Sequence, residues 1–209
     1  MVTLPTLEFE TELWHQGQLQ IAGVDEVGLG CLAGPIVAAA VVIPMNVEPI
    51  ALVRDSKKLS AIQREQAFIG VTQQAIGIGL GMASVKEIEQ VNVLQASYLA
   101  MRRAIARVAP IDHALIDGRR IQVDLGVPIT TLIKGDAKSY AIACASIVAK
   151  VRRDRLMKTL AKRYPGYGWE RNMGYGTQQH LAAMQDLGIT PWHRKTYAPV
   201  QAVINHSLN

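Results

Sequence analysis

Two adjacent carboxylates, Asp25 and Glu26, stand directly before a glycine-rich turn that runs from Gly28 to Gly34 and begins Gly28-Leu29-Gly30. Glycines after a strand let a pyrophosphate approach the backbone, so a dinucleotide site fits this stretch loosely. The carboxylates would repel phosphate, however, and no acidic residue ends a following second strand where a dinucleotide site requires one. The same repulsion becomes useful if the carboxylates hold Mg²⁺ or Mn²⁺, because such ions bridge protein carboxylates to a phosphodiester. Exposed glycine amides nearby can then bind sugar or phosphate oxygens.

Such a site needs several hard oxygen ligands, and one Asp–Glu pair rarely suffices. Asp117, after the apolar run Ala114-Leu115-Ile116, and Asp136, after Thr131-Leu132-Ile133-Lys134-Gly135, are the further candidates. Each follows an apolar strand and would emerge at a sheet edge. A strand points Asp25 and Glu26 to opposite faces, so both can serve one site if the chain starts turning there, which Gly28 and Gly30 permit. Taken singly, Asp117 reads as the start of a turn with Gly118, and Asp136 as the cap of a long helix. Taken as a set of four, they read as a site.

The elements that must position these residues alternate between strand and helix. Strands are expected over Leu19–Gly28, Ile36–Pro44, Gly77–Val85, His113–Gly118 and Ile129–Gly135, the second apolar enough to be buried on both faces. A Ser60 cap signal opens a helix before the third strand, whose glycines mark a close approach. A helix or pair of helices follows and ends before Pro110. From Asp136 to Tyr164 one long helix is expected, its first half rich in Ala, Cys and Ser, able to lie close against a sheet. No repeat, low-complexity tract or linker interrupts this order. The pattern implies an α/β fold: one domain over residues 18–209 with a mixed sheet and a helical, loop-rich C-terminal segment, preceded by an N-terminal extension over 1–17.

The composition, 49% apolar and 19% charged, is globular, and a net charge of +5 mildly favours an anionic partner. The N-terminus carries Pro5 and three Glu where a signal peptide needs a basic start and an apolar run, so a cytoplasmic protein is expected. The apolar run from Cys31 to Met45 is too short to span a bilayer and is broken by Gly34, Pro35 and Pro44, so no membrane role follows. Cys31 and Cys144 lack metal-ligand spacing and read as packed thiols. His180 and His193 have no partner at metal or triad spacing and read as loop or core residues.

The segments IAGVDEVG, LAGPIVAAAVV, DSKKLS, EIEQVNVLQAS, LIDG, KGDAKSYAIACASIVAKVRRDRLM, YPGYGW, GYGT and PWHRKTYAPV occur in this order between Ile21 and Val200. Together the chain resembles a bacterial ribonuclease HII. The resemblance implies a ribonuclease H-like fold that cleaves the RNA strand of RNA/DNA hybrids and incises DNA duplexes at embedded ribonucleotides. It implies that Asp25, Glu26, Asp117 and Asp136 are the catalytic, metal-binding carboxylates, with Mg²⁺ or Mn²⁺ as cofactor. Two-metal hydrolysis of this kind leaves 3′-hydroxyl and 5′-phosphate ends without a covalent intermediate. A monomer is implied as well.

The resemblance also implies substrate contacts. The family reads the 2′-hydroxyl through the backbone of a Gly-Arg-Gly turn, here Gly28-Leu29-Gly30, and packs a tyrosine, here Tyr175, on the following deoxyribose. Lys57, Lys58 and Asn92 match motif positions near the nucleic acid. Ser139 reads either as a cap or as a phosphate ligand. The chain departs from the pattern at three places: Leu29 replaces the arginine, Cys31 the usual proline, and Met173 the lysine before the tyrosine. The two lost cations would each remove a phosphate contact worth about 1–3 kcal/mol if charge-assisted. Weaker binding, and impaired incision at a single ribonucleotide above all, is therefore expected. A catalytically weakened hybrid-binding protein of the same fold is the alternative.

Other basic residues are placed as a hybrid-binding surface would want them: Lys150, Arg152, Arg153, Arg155, Lys158, Lys162 and Arg163 on the long helix, then Arg171, His193, Arg194 and Lys195. A solvated helix face with Asp154 paired to Lys158 is the bland reading, and it is compatible with the first.

Overall fold

The computed structural model describes residues 4–118 and 124–206. Residues 1–3 and 207–209, the outer ends of the expected extension and domain, lie outside the described residues. The chain runs α1 (Glu8–His15), β1 (Ile21–Val27), β2 (Ile36–Val42), α2 (Ala61–Gln74), β3 (Gly77–Ala83), α3 (Val85–Ile105), β4 (His113–Asp117), β5 (Ile129–Leu132), α4 (Tyr140–Arg163), α5 (Trp169–Asn172), α6 (Gln178–Leu187) and α7 (Ala198–His206). Two 3₁₀ turns, Ser56–Lys58 and Gly135–Ala137, lie between.

The five strands form one mixed sheet in the order β3-β2-β1-β4-β5. β1–β2 and β2–β3 are antiparallel, whereas β1–β4 and β4–β5 are parallel. Every residue of β2 is buried, as its apolar run and its place between two neighbours require. Alternate residues of β1 serve opposite layers: Ile21 packs with α4, α1 and α2, while Ala22 and Val24 pack with α3. A third apolar cluster joins the C-terminal half of α4 to α5, α6 and α7. Among the described residues no helix is long and apolar enough to cross a membrane.

Small residues set the spacing of these layers. A side chain at Gly81 would run into the Ala100 carbonyl, and one at Gly23 into the backbone of Ala141. α3 and α4 therefore approach the sheet backbone to backbone, as the glycines of β3 and the Ala-rich start of α4 lead one to expect. Ser60 and Ser84 each form a capping box, with Gln63 and Glu87 as the reciprocal partners.

Two expectations change and one open alternative is decided. First, the segment over residues 1–17 is, from residue 4 onward, part of the domain: Leu13 and Trp14 enter the main core, and Thr6 bridges to Ser139. Second, of the single helix or pair left open for this stretch the structure gives the pair: α3 is two helices joined at Asn92, whose backbone takes φ 69° and whose side chain accepts the N–H groups of Leu94 and Gln95. Third, the long helix starts at Tyr140, not at Asp136. Ser139 caps it, accepting the Ile142 N–H, while buried Glu10 accepts the Ser139 hydroxyl at 2.6 Å and the Ala141 N–H at 2.9 Å. Capping falls to Ser139 and Glu10, which leaves Asp136 in the preceding 3₁₀ turn and free of that task.

Candidate active site

β1 and β4 end side by side. Val24 is paired with Ile116, so Asp25 and Asp117 follow one step later on the same side of the two parallel strands. β4 stops at Asp117, whereas β1 continues to Val27 still paired with β2. The expected turn at Asp25–Glu26 is therefore absent. Glu26 instead lies just beyond the end of its parallel neighbour, where its longer side chain reaches the same cleft from the other side of the strand. Asp25, Glu26 and Asp117 line one cleft of about 370 Å³ together with Gly28, Leu29, Gly30, Ser56, Lys57 and Tyr175. Asp136, half-buried in its turn after β5, is close enough to interact with Asp117 and Asp25 without lining that cleft.

The electrostatics are those of a crowded acid cluster. Burial, then the charges of Glu26 and Asp117, push the Asp25 carboxyl well above the ordinary range, against a hydrogen bond from Ser146. Burial and the Asp117 charge push Glu26 up to about 7, opposed in part by Lys57. Asp136 is raised by burial, Asp117 and Asp55, again with Lys57 in opposition. Asp25 Oδ1 accepts the Glu26 N–H at 2.8 Å and Asp117 Oδ1 the Gly135 N–H at 2.6 Å. The second of these bonds ties the end of β4 to the turn that carries Asp136.

Glu26 Oε2 is buried without a hydrogen-bond partner. An orphaned carboxylate oxygen among other carboxylates is what a hard divalent cation satisfies, and the oxygen-only donor set suits Mg²⁺ or Mn²⁺ rather than a softer metal. No three acidic, histidine or cysteine side chains among the described residues converge into a finished cation cage. The fit thus rests on donor chemistry and uncompensated charge.

The opposite wall is cationic. Lys57, Arg64, Lys150 and Arg153 line the cleft. Asp154 pairs with Lys150 at 2.6 Å and with Arg64 at 3.6 Å, not with Lys158 as the spacing suggested. Arg64 also donates to the carbonyls of Ser56 and Leu59, holding the turn that presents Lys57. Arg153 is buried and spends its guanidinium on the carbonyls of Pro35, Met173 and Ala33.

The expected basic surface is therefore reduced. Arg153, His193 and Arg194 are buried, and Arg155 pairs with Glu65. Arg194 donates to the carbonyls of Gly28, Leu29 and Gly34 and to the Tyr197 hydroxyl. His193 and His180 form a buried group with Trp169, in line with a core role. The indole N–H of Trp169 donates to His180 Nε2, and the Thr190 N–H donates to His193 Nδ1. These bonds assign both rings as neutral tautomers: His193 Nε2–H shares the single lone pair of His180 Nε2 with the Trp169 indole at 3.0 Å, and His180 Nδ1–H donates to the Tyr175 carbonyl at 2.9 Å.

Tyr175, half-exposed, sits over the glycine turn, its ring about van der Waals distance from where a Gly30 side chain would begin. Its loop is pinned to that turn by the Leu32 N–H donating to the Gly174 carbonyl at 2.8 Å. Leu29 is 37% exposed at the cleft. Two expected substrate positions lie elsewhere. Asn92 is an exposed helix-joint residue that does not line the acid cleft. Ser139 is buried with its hydroxyl committed to Glu10 and Ile142, so of its two readings the structure gives the cap.

Arg64, Ser146 and Tyr197 carry no signal of their own in the sequence, and Arg194 reads there only as one of a basic series. Ser146, Arg194 and Tyr197 act through groups far along the chain, whereas Arg64 holds the nearby Ser56 and Leu59 carbonyls and reaches only Asp154 at a distance; folding alone brings the distant groups together.

Comparison with known proteins gives the family and the fold. The family model described as Ribonuclease HII matches residues 22–200. A protein named Ribonuclease HII from Thermosynechococcus vestitus is 57% identical over 192 residues, which span 92% of this chain and 90% of the relative. Ribonuclease H2 from Pyrococcus horikoshii OT3 superposes with a TM-score of 0.74 at 26% identity, covering 90% of this chain and 98% of that one. Bst-RNase HIII, solved in complex with Mn²⁺, shares the fold with a TM-score of 0.73 at 18% identity, over 91% of this chain and 70% of its own.

Proposed function

The chain belongs to the ribonuclease HII family, and we propose that its acid cleft hydrolyses the RNA strand of RNA/DNA hybrids and incises duplex DNA at embedded ribonucleotides. The observation that carries this reading is the buried carboxylate group around Glu26, a residue whose Oε2 has no hydrogen-bond partner and which lines a cleft shared with cations and a glycine turn. A like-charge cluster of this kind costs stability unless something positive joins it. That cost favours a working hydrolase over a hybrid-binding protein with an idle site.

Asp25, Glu26, Asp117 and Asp136 would hold Mg²⁺ or Mn²⁺, which when bound supplies Lewis-acid stabilisation of phosphoryl oxygens and a water nucleophile near neutral pH. The chain's own residues do the rest. Ser146 and the Glu26 N–H orient Asp25, and the Gly135 N–H orients Asp117. Lys57 offers its charge to the phosphodiester from the cation wall. The Gly28-Leu29-Gly30 backbone meets the ribose 2′-hydroxyl, the one group that distinguishes RNA from DNA at a given nucleotide. Tyr175 closes the cleft over the adjoining sugar.

The test is cleavage of two end-labelled duplexes with Mg²⁺ or Mn²⁺: an RNA/DNA hybrid, and DNA with a single ribonucleotide. Asp25→Asn is the control. Metal-dependent cutting that leaves 5′-phosphate and 3′-hydroxyl ends, absent in the control, is the expected result. Folded protein that binds the hybrid and cuts neither duplex would turn the reading to the binding protein.

A further inference from the structure

We infer that Arg194 and Tyr197 are positioning residues for 2′-hydroxyl recognition, setting the direction of the Gly28-Leu29-Gly30 amides from behind the turn. This inference rests on the proposed ribonuclease reading. Arg194 Nη2 donates to the Gly28 carbonyl at 2.7 Å and Nη1 to the Leu29 carbonyl at 2.9 Å. The Tyr197 hydroxyl donates to the same Leu29 carbonyl at 2.6 Å and accepts from Arg194 Nη1 at 3.0 Å. Arg194 Nε and Nη2 also donate to the Gly34 carbonyl, which closes the far end of the loop. The guanidinium is fully buried, and among the described residues it has no carboxylate partner within ion-pair distance.

A buried guanidinium without an anion is kept only where its fork of donors is fully used, and here backbone carbonyls and one phenol use it. The consequence lies on the other side of two peptide planes. In a trans peptide the C=O and N–H point opposite ways. With the Gly28 and Leu29 carbonyls turned to Arg194, the N–H groups of Leu29 and Gly30 turn away from it, toward the cleft that these residues line. Neither N–H donates to an acceptor among the described residues, so both are available to a ligand oxygen. The amide direction is therefore set by residues 194 and 197 and not by the side chain at position 29. This is why a leucine can occupy the middle of the turn without spoiling its geometry.

The inference is tested by binding, without metal-dependent turnover. The affinities of wild type, Tyr197→Phe and Arg194→Lys are measured in EDTA for two DNA duplexes that are identical except for one ribonucleotide. Melting temperatures are recorded alongside. Wild type should prefer the ribonucleotide duplex. Tyr197→Phe removes one hydroxyl and should lower that preference about fivefold, with all-DNA affinity nearly unchanged. Arg194→Lys should abolish the preference. An unchanged preference in folded Tyr197→Phe, or a parallel fall for both duplexes, would overturn the positioning role alone. No preference in the wild type would overturn the 2′-hydroxyl reading of the turn together with it.

Discussion

Asp25 and Asp117 stand side by side at the ends of neighbouring parallel strands, one residue beyond the paired Val24 and Ile116. Two carboxylates so placed repel each other until a cation joins them. Asp25→Asn should therefore bring hydrolysis down to background. In EDTA at pH 8 it should also raise the melting temperature by about 2–4 °C, since one buried like charge is gone. A lower melting temperature for a well-folded variant would mean that Asp25 serves the fold more than the site.

Glu26 sets a pH dependence for the metal-free protein. Its carboxyl is pushed up to about 7 from 4.5 by burial and by Asp117. The folded state thus prefers the protonated form. The associated stability is fully present below the unfolded value near 4.5 and is lost as pH rises through 7, at most about 3 kcal/mol. Urea unfolding in EDTA should show wild type losing stability between pH 5 and 8, and Glu26→Gln losing less. Added Mn²⁺ should restore wild type at pH 8. Identical slopes for the two proteins would contradict this.

The strands, the Ser60 cap and the placing of Asp25, Glu26 and Asp117 near strand ends are legible in the sequence because each is local: apolar runs, cap residues, and carboxylates placed after apolar strands. The family resemblance added roles for Tyr175 and the glycine turn. What it could not carry is long-range. Glu10 caps a helix that begins more than a hundred residues later, and Arg194 clasps carbonyls of the distant turn. A charge-rich helix likewise conceals which cations are buried. Arg153 and Lys158 look alike as letters, yet one is locked under the turn and the other is exposed.

Leu29 lies exposed at the cleft edge, where the proposed substrate reading would bring a phosphate within reach of a longer, cationic side chain. Arg194 and Tyr197 hold the backbone there, so Leu29→Arg should leave the turn intact and add one charge-assisted contact. Incision at a single ribonucleotide should rise about tenfold or more, with a steeper loss of binding as salt is raised. Unchanged incision would show that the leucine costs this enzyme nothing.

Glu10 makes the N-terminal helix indispensable. Glu10→Ala strands the Ser139 hydroxyl and the Ala141 N–H in the interior, a loss of about 2–4 kcal/mol in urea unfolding. Deleting residues 1–17 also removes buried Leu13 and Trp14, and that protein should not fold stably at 37 °C. A truncated protein as stable as the full chain would make the segment the detachable extension that its sequence suggests.

His193 sets the opposite limit, in acid. Burial and the neighbouring His180 hold its imidazole down to about 4 against an ordinary 6.5. The folded state prefers the neutral ring, so this contribution is present above about 6.5 and is lost as pH falls toward 4, amounting to about 3 kcal/mol once the ring is charged in both states. Protonation would put a hydrogen on Nδ1, where the Thr190 N–H already donates, and so break that bond and place a charge at the head of the chain that runs through His180 to the Tyr175 carbonyl. Imidazole resonances followed by NMR should show His193 neutral down to pH 5, with the Tyr175 amide region shifting only when the ring finally titrates. A His193 that titrates near 6.5 without disturbing Tyr175 would place the pair outside the support of the site.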